Sequence, residues 1–246
     1  TSVKQLQQFE RSAKAVGTKL TSADDALSGY ILALDRAKTL LSRGLSEISN
    51  QQTREAAAVE LESIRGHMLS VANTKSGDDF VSGGTRQNAP PFDPVTAAPA
   101  ATASSRQFVQ IEPGAAPIAA GVTAESLFSD ASSSIFTDLD NAIAALRGTG
   151  NPAADRAALE STMSRLTVFG NLAGLAQAQV GANMNAAEAA LENLSSNILT
   201  FDGRITDIEG ADFAETAVSL SQAQQALDAT LQVAAQGRRS LFDFLS

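Results

Sequence analysis

Apolar side chains recur at alternating steps of four and three near the end of this chain, at Val180, Met184, Ala187, Leu191, Leu194, Ile198, Phe201, Ile205 and Ile208. That spacing predicts a helix with one continuous apolar seam, the pattern of a coiled-coil strand. After Asp207-Ile208-Glu209-Gly210-Ala211-Asp212 a second seam begins one residue out of phase and runs through Phe213, Ala217, Leu220, Gln224, Leu227, Leu231, Ala234, Leu241 and Leu245. The first seam, from Val180 to Ile208, is expected to be covered within the chain as rod packing. The second, with Phe213, Ala217, Leu220, Leu227, Leu231, Leu241, Phe244 and Leu245 as its apolar positions, is expected to be covered only in an assembly.

The same reading applied upstream predicts a mainly α protein. Val3, Leu6, Ala13, Gly17, Leu20, Leu27, Ile31, Leu34, Leu41, Leu45 and Ile48 share one heptad frame, interrupted by Glu10, Asp24 and Lys38. Thr21 or Ser22 either caps a second segment or is passed through by one long helix. Asn50-Gln51-Gln52-Thr53 reads as a turn with Thr53 as N-cap, and Ala57, Leu61, Ile64, Met68 and Val71 form the face of a second helix, making an antiparallel hairpin. A further helix is expected from about Ala131 to Arg147 through Ile135, Leu139, Ile143 and Leu146, ending at Gly148-Thr149-Gly150. Asn151-Pro152 supplies an N-cap and a first-turn proline for a long helix from about Ala153 to Ile208, more than about 80 Å at 1.5 Å per residue.

Between Gly77 and about Thr123 the helical signal stops, and six of the seven prolines fall here. Gln107 to Ile111 alternates like a strand, Glu112-Pro113-Gly114-Ala115 matches a type II turn, and Ile118 to Val122 is placed to return. We read this as a small β excursion at the end of an elongated antiparallel helical rod. The division expected is 1–76 and 127–210 as rod, 77–126 as a Pro/Gly-rich outer excursion and 211–246 as an assembly helix.

Composition narrows the classes. Of 246 residues 43% are hydrophobic, yet there is no Trp and one Tyr, which favours thin helix-on-helix packing. Cysteine is absent, which removes disulfides, thiolate catalysis and Cys-based metal sites and leaves the redox compartment open. A net charge of −9 argues against nucleic acid or an anionic membrane as main partner. No run of about twenty apolar residues is present to insert in a bilayer, and no cleavable signal pattern occurs. Because the first seam is already running at Val3, the chain is expected to start inside a helix.

No constellation of residues reads as catalytic, and no cofactor or metal site is expected. Gly170, Gly174 and Gly181 each cost roughly 1 kcal/mol against Ala in a helix and are read as points of close helix approach or of bending. His67, the single histidine, is read as structural. Asp24-Asp25, Asp78-Asp79, Asp138/Asp140 and Asp207/Glu209/Asp212 lack a calcium-loop pattern and sugar-stacking aromatics. Ser82-Gly83-Gly84 and Gly148-Thr149-Gly150 lack the lysine of a phosphate loop, and the Asn193-Leu194-Ser195 acceptor pattern falls within a helix.

Asp207 to Glu215, Ala223-Gln224-Gln225-Ala226-Leu227 and Ser240-Leu241-Phe242-Asp243-Phe244-Leu245 resemble the C-terminal segment of the bacterial flagellin family. Val180 to Asn185 resembles its upstream helical motif, which more often has Arg where Asn183 stands. Leu69 to Thr74, Phe80 to Gly84 and Pro90-Pro91-Phe92 are similar to the members of that family that join hook to filament. The resemblance implies a non-enzymatic axial protein, exported through the flagellar type III route without signal cleavage and located outside the cell in the flagellum. It implies as partners copies of the chain itself, the hook protein, a neighbouring hook-associated protein or flagellin, and an export chaperone. Members carry further N-terminal residues, so a segment ahead of Thr1 is expected, pairing with the second seam. Filament flagellin and a cytosolic coiled-coil signalling or adaptor protein stand as alternatives; the latter has no need of the proline-rich insertion.

Overall fold

A computed structural model describes residues 3–46, 50–100, 104–130 and 133–244, with side chains up to residue 233. In chain order the elements are α1 (Val3–Leu45), α2 (Gln51–Ala72), β1 (Lys75–Ser76), β2 (Asp79–Phe80), β3 (Phe108–Val109), β4 (Ile118–Ala119), α3 (Ala124–Phe128), α4 (Ile135–Arg147) and α5 (Pro152–Phe244). The chain is mainly helical, with two small antiparallel strand pairs, β1 on β2 and β3 on β4.

The 43 residues of α1 form one helix because Leu6, Ala13, Val16, Leu20, Ala23, Leu27 and Leu34 keep one buried face through its length. Thr21 and Ser22 do not cap. Their hydroxyls donate to the carbonyls four residues back, Gly17 at 3.1 Å and Thr18 at 3.2 Å, so the helix passes through them. The next helix begins three residues earlier than Thr53 would dictate, since Asn50 is the cap. Its Oδ1 accepts from the Thr53 backbone N–H at 2.8 Å, and Thr53 adds its hydroxyl at 2.9 Å. Ala57, Leu61 and Met68 of the expected face of α2 are buried, joined by Ala58, Leu69 and Ala72, while Ile64 and Val71 are half-buried. Ile48 lies outside the described residues, as does Ala131, the expected start of α4. That helix starts at Ile135 behind Ser134, whose hydroxyl accepts from the Thr137 N–H.

Four helices close a ring in which α1 packs on α2 and α5, and α4 packs on α2 and α5. Neighbours run antiparallel. At one end Gln51 donates to the Arg147 carbonyl at 3.0 Å, and Arg54 to that of Ala145 at 2.7 Å. Arg147 also pairs with Glu55 and Glu62 of α2. At Gly44 the approach is so close that a Cβ would overlap the Leu146 side chain.

At 22 residues α2 is half the length of α1, so the four-helix section stops where Gly29 meets Val71. The β excursion therefore does not stand beyond the end of the rod. It occupies the place next to α1 and α5 that α2 and α4 vacate. Lys19 of α1 pairs with Asp79 at 2.8 Å, and the buried Asn183 of α5 donates to the Ala119 carbonyl at 2.9 Å. Asn73, at the end of α2, clamps the Phe92 backbone from both sides, donating to its carbonyl and accepting from its N–H. Of the strands expected at Gln107–Ile111 and Ile118–Val122, two residues each pair, Phe108 with Ala119 and Val109 with Ile118. Between them Gly114 has φ +76° and the Ala115 N–H returns to Glu112, as a turn with glycine at its third position requires.

Aromatic side chains are few but concentrated. Tyr30, Phe92, Phe128 and Phe136 are buried together where the four-helix section meets the excursion, with ring centroids 4.4 to 5.9 Å apart. The Tyr30 hydroxyl donates to the Leu127 carbonyl at 3.0 Å, and burial raises its pKa above the ordinary tyrosine value.

Candidate functional site

The feature to be explained is α5. Its start is fixed by a tight cap: Asn151 Oδ1 accepts from the Ala154 N–H, Pro152 opens the first turn, and buried Asp155 accepts the N–H and hydroxyl of Thr149, the latter at 2.6 Å. Gly148 and Gly150 hold positive φ on either side of Thr149, so this segment is a helix-to-helix turn. Arg165 secures the next turns, reaching Asp130 at 2.6 Å and Asp138 at 2.8 Å. Hydrogen bonds from these two carboxylates, Asp130 first, raise the guanidinium pKa further.

Along the first seam Val180 and Leu194 are buried, and Met184, Leu191, Ile198 and Phe201 are half-buried against the core. Ile205 and Ile208 depart from the expectation, being 43% and 65% exposed. Register gives the reason. Leu159 lies beside Gly44, and Gln177 donates to Asp24 at 3.3 Å, so the antiparallel count brings Val3 level with the turn holding Phe201. Past that level no described residue of α1 faces α5.

From 202 to 233 every residue of α5 is exposed, although the helix continues without interruption through Asp207–Asp212. Phe213 is 78% exposed, Leu220, Leu227 and Leu231 are 59 to 60% exposed, and Ala217 lies on the same stripe. In an unbroken helix one residue out of phase is a rotation of about 100°. The second seam therefore faces a direction other than that of α1. Val218 and Val233, also exposed, stand off this stripe and were not expected from the seam. Leu241 and Phe244 lie on helical backbone outside the described side chains, and Leu245 lies outside the described residues.

The exposed surface of the later part of α5 is acidic. Between 181 and 215 it carries Glu188, Glu192, Asp202, Asp207, Glu209, Asp212 and Glu215 against Arg204 alone. All eight are exposed, and among the described residues none joins an ion pair. Of the three expected close-approach glycines, Gly170 alone faces a neighbour, the Lys38 ammonium 3.2 Å from where a Cβ would stand. Gly174 and Gly181 meet nothing within 4 Å, and the same holds for Gly203 and Gly210.

Other candidates are absorbed by the fold. His67 is on the solvent side of α2. Asp24, Asp79, Asp138 and Asp140 hold Gln177, Lys19, Arg165 and Arg65. Ser82 donates to the Ala72 carbonyl, and Gly84, at φ +59°, sits where a Cβ would overlap the Ser105 carbonyl. Asn193 is exposed on α5 and donates weakly to Glu112. No group of three or more potential ligands that could hold a metal occurs among the described residues, and no described helix is long and apolar enough to cross a membrane.

No family model matches the chain, and no curated protein matches it in sequence. Solved structures do match it in fold. FlgL of Xanthomonas campestris superposes with a TM-score of 0.75 at 16% identity, over 83% of this chain and 98% of that one. A putative flagellar hook-associated protein from Vibrio parahaemolyticus gives 0.75 at 18% identity, over 83% and 92%. The flagellar junction protein FlgL from Legionella pneumophila gives 0.64 at 12% identity, over 76% and 97%. Across most of its length, this chain has the fold of the FlgL hook-associated proteins.

Proposed function

We propose that this chain is a structural, non-enzymatic component of the bacterial flagellum that joins hook to filament by axial self-assembly. The observation that carries this reading is the uncovered apolar stripe on the last part of α5, in a chain whose fold is that of FlgL. Fully burying each large apolar residue would contribute about 1.5–3 kcal/mol, a driving force that the isolated chain leaves unused. Phe213, Ala217, Leu220, Leu227 and Leu231 form the assembly surface, and the heptad continues it to Leu241, Phe244 and Leu245. Residues 211–246 act as the assembly segment, 1–76 and 127–210 as rod, and 77–126 as the outward excursion.

The partners are other copies of the chain, the hook protein on one side and a neighbouring hook-associated protein or flagellin on the other. A flagellar export chaperone holds the C-terminal helix before secretion through the flagellar type III route, without signal cleavage. Deleting the gene tests the reading. Cells that build hooks but shed monomeric flagellin into the medium, and regain filaments on complementation, support it; normal filaments overturn it. Long filaments formed by the purified chain alone would instead assign it to filament flagellin.

A further inference from the structure

Gly174, Gly181, Gly203 and Gly210 lie on one face of α5: at roughly 100° per residue they fall within about 40° of one another. Glycine weakens a helix interior, and at these four positions nothing in the chain approaches to make use of the missing side chain. Glu188 and Glu192 sit on the same face between Gly181 and Gly203, exposed and without ion pairs among the described residues. The stripe that begins at Phe213 runs beside this face, turned from it by roughly 60° around the helix. An oppositely charged surface occurs elsewhere on the same molecule. From 3 to 20, α1 has four basic residues and one acidic. Of these Lys4 and Arg11, seven residues apart and so on one outward face, are exposed and unpaired among the described residues.

We infer that the glycine-bearing acidic face of α5 docks the basic outer face of α1 from a second copy of this chain, backbone close to backbone. The inference rests on the assembly reading and extends the contact from the tail up into the rod. The glycines allow the approach, Glu188 and Glu192 meet Lys4 and Arg11, and net charge complementarity selects α1 over the acidic face of another α5. Because the two surfaces differ, the contact is head-to-tail, which generates a closed ring or an open helix.

Charge reversal with rescue tests it, read as the fraction of purified chain that co-sediments with isolated hooks. K4E/R11E and E188K/E192K, each confirmed as helical as the parent by circular dichroism, are expected to lower the bound fraction at least tenfold. An equimolar mixture of the two is expected to recover binding, since each supplies the face the other lacks. Gly181→Leu is expected to lower it as well, with Gly181→Ala intermediate. If the parent chain binds and neither reversal changes it, or if both lose binding and the mixture does not recover, the inference is overturned while the assembly reading stands. Should the parent chain itself fail to bind hooks, the assembly reading falls and the inference falls with it.

Discussion

The two parts of α5 on either side of Phe201 share a helix, a heptad spacing and a supply of leucine, yet one is core and the other is bare. Leu194 is fully buried and Leu220 is 59% exposed. Periodicity fixes that a stripe exists and where it points, whereas burial depends on whether another element is present at that level. Before Phe201, α1 supplies that cover. Beyond it the stripe turns by about 100° and the cover must come from outside the described chain.

Hydrogen exchange should separate the two parts most widely. In a verified monomer, amides of α5 between Leu159 and Leu194 should exchange only by global or near-global opening, and those between Phe213 and Val233 by local fraying, orders of magnitude faster. Equal protection across both would break the comparison. Next in size are truncations. Phe128→Ala, at the aromatic junction, should cost about 3–5 kcal/mol in denaturant unfolding, and Leu194→Ala about 2–5. Leu220→Ala should stay within about 0.5 kcal/mol and act only on assembly.

Glycines sharpen the contrast at smaller scale. Gly44→Ala forces a methyl into the Leu146 side chain and should destabilise by about 1–3 kcal/mol, while Gly174→Ala on the open face should raise stability by about 0.5–1 in thermal unfolding. The smallest effect is one of pH. Hydrogen bonds from Arg147 and Arg36 hold the Glu62 and Glu60 carboxyls below their usual range. Their contribution is present above the unfolded carboxyl pKa of about 4.3 and is lost as pH falls through the lower folded values. Acid titration should therefore weaken the four-helix section below about pH 4, with a shallower slope in Arg147→Met.

Much of this was legible in the sequence, for physical reasons that differ by element. The long helices, the Asn151-Pro152 start of α5 and the turn at Gly114 follow from local rules, and the short turns between long seams placed the helices in one antiparallel rod. The position of the excursion was not legible, because it depends on α2 ending at Ala72, opposite the middle of α1, and length matching between helices is a tertiary property. Ile205 and Ile208 are exposed rather than packed for a related reason: a seam does not encode whether another element stands at its level. Nor did scarcity of aromatics foretell that Tyr30, Phe92, Phe128 and Phe136 would gather at a single junction, since Tyr30 and Phe92 lie far from each other and from the Phe128/Phe136 pair in the chain. Asn50 rather than Thr53 as cap was within reach, because Asn ranks at least as high at that position.

One consequence of the unbroken α5 is mechanical. Its hydrogen-bond ladder runs from the cap at Asn151 to Phe244, about 140 Å, so push or twist applied at the far end travels to the four-helix section without crossing a loop. Stiffness along that spar is uneven. Two helices, α1 and α4, brace its first turns, α1 and the excursion brace its middle, and a lone helix remains past Phe201 among the described residues, so an isolated molecule under load bends first at the step where bracing ends.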